Sequence, residues 1–204
     1  MKKGTIYLLV IAGLVLLLGF NGCSSYNNMF DKREGVTAQW QQVEVAYQAR
    51  MDKTKNLFEI VQSSADFERG TLKEVMEARS RATSIQINAD NLTPEKMAEF
   101  EKAQNQFSAS LGRLMAVAEN YPQLKTTDAF RDFQAQYEGM ENRIATERGR
   151  FNEMAKDYNV TIGKFPRKIW AGLFGFAPKP YFESQSGAET APDIKSMRDS
   201  ERNK

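Results

Sequence analysis

Two kinds of hydrophobic patterning divide the chain. From Ile6 to Phe20 apolar residues follow one another without a break (IYLLVIAGLVLLLGF), and no charged residue occurs between Gly4 and Phe30. Beyond that run, apolar positions recur at alternating steps of three and four, as in helices that bury one face. The first stripe reads Val36, Trp40, Val43, Tyr47, Leu57, Val61 and Ser64, with Arg50 and Thr54 at the intervening steps. Residues 63–66 (SSAD) form a weak break in which a serine or Asp66 is available as a cap. A second stripe, Leu72, Val75, Arg79 and Ala82 with Ala78 and Ile85 beside it, ends near the turn formers Asn88, Ala89, Asp90 and Asn91.

The third start is marked by Thr93 as N-cap, Pro94 at the first helical position and Glu95 in the first turn. Its stripe runs Met97, Phe100, Gln104, Phe107, Leu111, Leu114, Ala118 and Tyr121, and Pro122 stops it. The fourth opens near Thr126, Thr127 and Asp128 and reads Phe130, Phe133, Tyr137, Met140, Ile144, Glu147, Phe151, Met154 and Tyr158. No stretch alternates with period two for long enough to make a strand. The pattern therefore predicts an all-α protein. An N-terminal membrane anchor helix (residues 1–25) precedes an antiparallel up-and-down helical bundle of four-helix type with coiled-coil-like stripes (residues 26–163). Residues 164–204 begin with the aromatic and basic FPRKIWAGLFGFAPKPYF and end in a polar tail that is expected to be disordered.

The apolar run falls between two classes. A cleaved signal carries a core of roughly 7–15 residues, whereas a spanning helix needs about 20. Extended through Asn21, Gly22 and Cys23 to Ser25, the run makes a short single-pass helix. Lys2 and Lys3 would hold its near end in the cytoplasm, although Lys32 and Arg33 on the far side weaken the bias. The alternative is a lipoprotein box at Gly19-Phe20-Asn21-Gly22-Cys23, with Cys23 as the acylated first residue; Gly22 suits it, Asn21 and Phe20 do not. Either way the bundle is expected at the membrane, outside the cytoplasmic face.

Composition narrows the chemistry. Among 204 residues there is no histidine and one cysteine, and 28 basic residues face 26 acidic ones for a net charge of +2. Histidine-based acid–base catalysis, thiolate zinc sites and disulfide frameworks are thereby closed. A charge this small, without a basic block, gives no footprint for nucleic acid. Carboxylate pairs such as Glu74 with Glu77 and Glu95 with Glu99 read as solvated helix faces, and Gly172 to Gly175 follows no strand, so it lacks the context of a phosphate loop. The residues supply no catalytic, cofactor-binding or metal site.

A family resemblance rests on the order of many short elements. Tyr26-Asn27, Val36, Trp40, Tyr47, Arg50, Asp52, Asn56-Leu57, Val61, Glu68, Leu72, Val75 and Ala78-Arg79 resemble the first half of LemA family proteins. Tyr121-Pro122, Leu124-Lys125, residues 141–144 (ENRI), Arg148, Phe151-Asn152, Tyr158-Asn159, Phe165-Pro166, residues 174–176 (FGF) and Tyr181-Phe182 resemble its downstream signature. The resemblance implies a membrane anchor followed by an antiparallel helical bundle, and no enzymatic activity. Cys23 departs from the family's plain anchor helix.

Two groups of residues stand out against the stripes. Arg50, Arg79, Gln104 and Glu147 occupy core-facing positions, where a charge is costly unless paired. A shared polar layer is one expectation, with Arg50 or Arg79 binding Glu147 and with Glu141, Asn142 or Asp52 completing it; snorkelling arginine stems are the other. Trp170, Phe174, Phe176, Tyr181 and Phe182 lie among Lys164, Arg167, Lys168 and Lys179, a mixture suited to a membrane interface, to folding back on the bundle, or to a partner protein. The functional expectation is a membrane-tethered interaction or scaffold protein of the cell envelope that is not an enzyme and works with the membrane and another envelope protein. Rival readings are an enzyme built on carboxylates and arginines, and an accessory subunit of a membrane protease or transporter.

Overall fold

A computed structural model describes residues 3–62 and 67–183, apart from the side chains of Thr5 and Asp90. Among the described residues all regular structure is helical: α1 (Lys3–Gln62), α2 (Arg69–Ser84), α3 (Pro94–Ala118), α4 (Pro122–Lys125), α5 (Asp128–Gly163) and α6 (Arg167–Phe174), with a 3-10 turn at Ala89–Asn91. Ser64, the proposed cap at residues 63–66 and the polar tail from residue 184 onward lie outside the described residues.

The apolar run and the first stripe are one helix of 60 residues, about 90 Å long at 1.5 Å per residue. Only glycines interrupt the junction (Gly19, Gly22, Gly35), and a helical glycine costs about 1 kcal/mol, far less than a proline. Its two ends have different surroundings. Ile6 to Phe20 are exposed, while Met29, Val36, Trp40, Val43, Arg50, Thr54, Leu57 and Val61 are buried. By length and composition α1 is able to cross a membrane, its best window having a mean hydropathy of 2.3 with only 6% of it buried in the protein.

α5 runs antiparallel to α1, as the cross-contacts Lys32 with Asp157, Gln39 with Glu147 and Arg50 with Glu141 show. α3 runs antiparallel to α2, with Arg113 on Glu74 at one end and Gln104 donating to the Ala82 carbonyl at the other. Two hydrophobic clusters fill the space between these pairs. One surrounds Trp40, Phe100 and Phe151, nearer the apolar run. The other surrounds Leu57, Val75, Phe107, Leu114 and Phe130, farther from it.

Local chemistry explains the ends. Thr93 accepts from the Lys96 amide (3.3 Å) and Thr127 from the Phe130 amide (3.3 Å), each filling a donor left open in a first turn. α2 opens behind Glu68 without a side-chain cap. α3 stops at Ala118, and Pro122 then starts the single turn α4. The fourth stripe departs from expectation at Met154, which is exposed, while Ala155 is buried in its place. A strict seven-residue repeat drifts by roughly 20° per heptad on a straight helix. Along the 36 residues of α5 the buried face thus moves on to Phe151, Ala155, Tyr158 and Ile162.

α6 ends at Gly175, whose φ of 73° suits glycine, and the Phe176 amide closes the turn on the Ala171 carbonyl at 2.9 Å. The chain then returns along α5, so that Phe176 and Phe182 join the first cluster.

Candidate functional site

Arg50 is 1% exposed and sits between the two hydrophobic clusters. Its Nη1 donates to Glu141 Oε1 at 2.8 Å, and its Nη2 to Gln104 Oε1 at 2.6 Å and to the Gln104 carbonyl at 3.3 Å. Gln104 in turn donates through Nε2 to the Ala82 carbonyl at 3.3 Å. The guanidinium carbon lies 5.2 Å and 5.1 Å from the rings of Tyr47 and Phe107, which supply apolar cover and cation–π attraction. One layer thus ties α1, α2, α3 and α5, and only Arg50 Nε in it is buried without a hydrogen-bond partner.

Glu147 and Arg79 stand apart from this layer. Glu147 accepts from Gln39 Nε2 (2.8 Å) and Arg150 Nη1 (3.0 Å), so that the partner of Arg50 is Glu141. Arg79 is half-buried with its guanidinium 6.0 Å from the Phe58 ring. A second charged link, Arg148 to Glu101 at 2.6 Å, joins α5 to α3. Burial pushes the Glu101 carboxyl above its ordinary value, and Arg148 offsets part of the rise.

Between α1 and the α2–α3 connection lies an open cleft of about 800 Å³, lined by Trp40, Glu44, Tyr47, Gln48, Gln86 and Asn88 among others. Among the described residues Glu44 is the only carboxylate that lines it, and no cation does. Burial raises the Glu44 carboxyl above 4.5, and the nearby Trp40 N–H pulls it part of the way back. Among the described residues no arginine, Arg50 included, stands beside Glu44 in the cleft walls. Among the described residues no three acidic or cysteine side chains gather as metal ligands.

The aromatic segment divides in two. Residues 176–182 are a strap held by asparagines seven apart on α5. Asn159 donates to the Lys179 carbonyl and accepts from the Lys179 amide (both 2.8 Å). Asn152 does the same with Phe182, at 2.9 and 2.8 Å. Tyr158 donates to the Ala177 carbonyl, Lys179 Nζ reaches the Ala89 carbonyl at 2.7 Å, and Phe182 stacks on Trp40. Phe176 and Phe182 are buried, Trp170 is half-buried, and Phe174 and Tyr181 are partly exposed. Sequence reading noted Asn152 and Asn159 as signature residues without a role; two asparagines at i and i+7 on one helix face were the available signal.

α6 docks where the apolar run ends. Trp170 Nε1 donates to Asn21 Oδ1 at 3.2 Å, and its ring lies over Gly22, where a Cβ would come within 3.3 Å. Phe174 and Phe176 pack edge-on to Tyr26 at 5.2 and 5.5 Å, and the Arg33 guanidinium lies 5.3 Å from the Phe176 ring. Cys23 is exposed on the same stretch of α1.

These features define a helical protein whose membrane-competent helix α1 continues directly into its core. The chain belongs to the LemA family, whose pattern residues 39–195 match. It is also 38% identical over 84 residues to magnetosome protein MamQ 2 of Paramagnetospirillum magneticum, and equally to MamQ 1 of that organism. MamQ of Magnetospirillum gryphiswaldense shows the same 38% over 84 residues. The match spans 41% of this chain and 31% of each relative.

Proposed function

We propose that this chain is a membrane-tethered helical scaffold of the cell envelope that works by binding another protein and catalyses no reaction. In this reading residues 1–25 are an uncleaved single-pass anchor with its N-terminus in the cytoplasm, and α1, α2, α3 and α5 form an up-and-down bundle of four-helix type outside the cytoplasmic face. The observation that carries it is the continuity of α1: the helix exposed over Ile6 to Phe20 is the same helix that supplies Trp40, Arg50 and Leu57 to the core. A cut before Cys23 would also remove Asn21 and Gly22, the two residues on which Trp170 rests. The relatives' designation as magnetosome proteins names a structure and no reaction, which accords with an interaction role.

Photo-crosslinking residues placed one at a time over the exposed faces of α2, α3 and α5 test this in intact membranes. Adducts to one protein confined to one face support the scaffold reading. A protein that gives no adduct from any face, while a Glu44→Gln change in the cleft abolishes its cellular effect, would favour an enzyme instead.

A further inference from the structure

α6 and the turn before it present an apolar edge that nothing among the described residues covers. Phe165 is 82% exposed, Ile169 60% and Leu173 69%. Ile169 and Leu173, four apart on α6, share one face, and Phe165 lies in the turn just before it. The opposite side of α6 is covered: Ala171 is buried in the first cluster, Trp170 rests on Asn21 and Gly22, and Phe174 packs on Tyr26. Lys164 and Lys168 are exposed beside the apolar edge and Arg167 is half-buried in the first turn of α6, and from Val160 to Phe182 the sequence contains no acidic residue.

Height along α1 locates this edge. Trp170 is level with Asn21 and Phe174 with Tyr26, so α6 rises beside α1 in the same sense. α5 brings the chain down to the same level, since Asp157 sits against Lys32 and α5 ends six residues later at Gly163, so the Phe165 turn lies at the junction where the apolar run ends. The stretch Ile6 to Phe20 covers about 22 Å at 1.5 Å per residue, short of the roughly 30 Å of a hydrocarbon core, which is reached near Ser25. At the level where α1 turns polar, Trp170 hydrogen-bonds Asn21 and covers Gly22. Tryptophan is the residue type that favours this depth.

We propose that the Phe165–Leu173 edge is embedded in the outer interface of the same bilayer that α1 enters. The acyl chains lie against Phe165, Ile169 and Leu173, and anionic lipid headgroups lie against Lys164, Arg167 and Lys168. The proposal rests on the tethered reading above and adds a second point of lipid contact. Lipid, rather than protein, is the occupant because the edge adjoins the exposed surface of the anchor at the level where α1 turns polar, and because the chain from Val160 to Phe182 carries basic residues and no acidic one. The short apolar run is then sufficient, since α6 covers the polar end of the span.

The test uses the full chain carrying Cys23→Ser and one new cysteine, Leu16→Cys, Phe165→Cys, Ile169→Cys or Glu77→Cys. Each is labelled with an environment-sensitive fluorophore and reconstituted in phosphatidylcholine–phosphatidylglycerol vesicles with brominated acyl chains. All four positions are exposed, so the fold tolerates the exchange. The expected result is strong quenching at Leu16, Phe165 and Ile169 and none at Glu77. It includes weaker quenching at Phe165 when phosphatidylglycerol is omitted, and loss of that dependence when Lys164, Arg167 and Lys168 are all changed to Gln. Quenching at Leu16 without quenching at Phe165 and Ile169 overturns the inference and leaves the tether standing. No quenching at any position overturns the tether itself. A blue shift at Phe165 that grows with protein density and ignores bromine would assign the edge to a second copy. Quenching that is indifferent to phosphatidylglycerol would remove the headgroup contact.

Discussion

The guanidinium of Arg50 meets a carboxylate, an amide oxygen and a backbone carbonyl while two aromatic rings cover it. Removing it strands Gln104 in the core. Arg50→Ala should cost about 3–5 kcal/mol, and Gln104→Leu, which leaves the cation short of a partner, about 1–3 kcal/mol. Glu141→Gln should cost less than about 1 kcal/mol because that side chain is one-third exposed. Urea melts of the full chain in detergent give this order. Combining Arg50→Leu with Gln104→Leu should recover about 1–3 kcal/mol relative to the sum, whereas Arg50→Ala and Glu147→Ala should add within about 0.5 kcal/mol, having no partner in common.

Glu44 allows a pH test at the same scale. Its carboxyl is raised by burial, so the folded state holds a proton more tightly than the unfolded chain does. The ionised form therefore destabilises the fold, and this loss grows as pH rises through the raised pKa and vanishes well below 4.5. Glu44→Gln should be more stable than the parent at neutral pH and equal to it in acid; equal stability throughout would contradict the burial. Apolar spacing placed Arg50 and Gln104 in the core because each fills a step of a stripe. It offered Glu147 as the partner of Arg50 or Arg79, with Glu141 only completing the layer, whereas Arg50 meets Glu141, because a stripe gives the buried face of one helix and says nothing about its offset against the next.

At the scale of elements, the strap and the unbroken α1 were the least legible parts. Residues 176–182 have no helical period and contain two prolines, so nothing in their own pattern shows where they lie. Their position comes from paired hydrogen bonds to Asn152 and Asn159. Asn152→Ala or Asn159→Ala should release them, raising amide exchange at Lys179 and Phe182 while α2 and α3 keep their protection; unchanged exchange would show that Phe182 and Trp40 hold the strap alone. The continuity of α1 was hidden for another reason. Helices stop at prolines, caps and left-handed residues, and a change of hydrophobic pattern is not itself a stop. Ser24→Pro, at an exposed position, should introduce a hinge seen as a broadened distance distribution between spin labels on the apolar run and on α5, with the melting of the bundle unchanged. At Thr93 the sequence located the cap and the helix start directly, and it placed the fourth start near Thr126, Thr127 and Asp128, of which Thr127 is the cap.

At the scale of the whole molecule, one helix belongs to two environments. Its first part has the composition of a membrane span and its remainder the stripe of a core helix, and no linker separates them. In the scaffold reading proposed above, this continuity would hold the bundle at a fixed height and angle to the bilayer, which a flexible tether would not. α6 and the strap add to that rigidity by packing on α1 and α5 at the junction. The central claim is that the anchor is retained as part of this helix, and the intact mass of the protein extracted from membranes tests it most directly. A retained anchor gives a chain of 23.2 kDa that still contains residues 1–22. A chain beginning at an acylated Cys23 would contradict it.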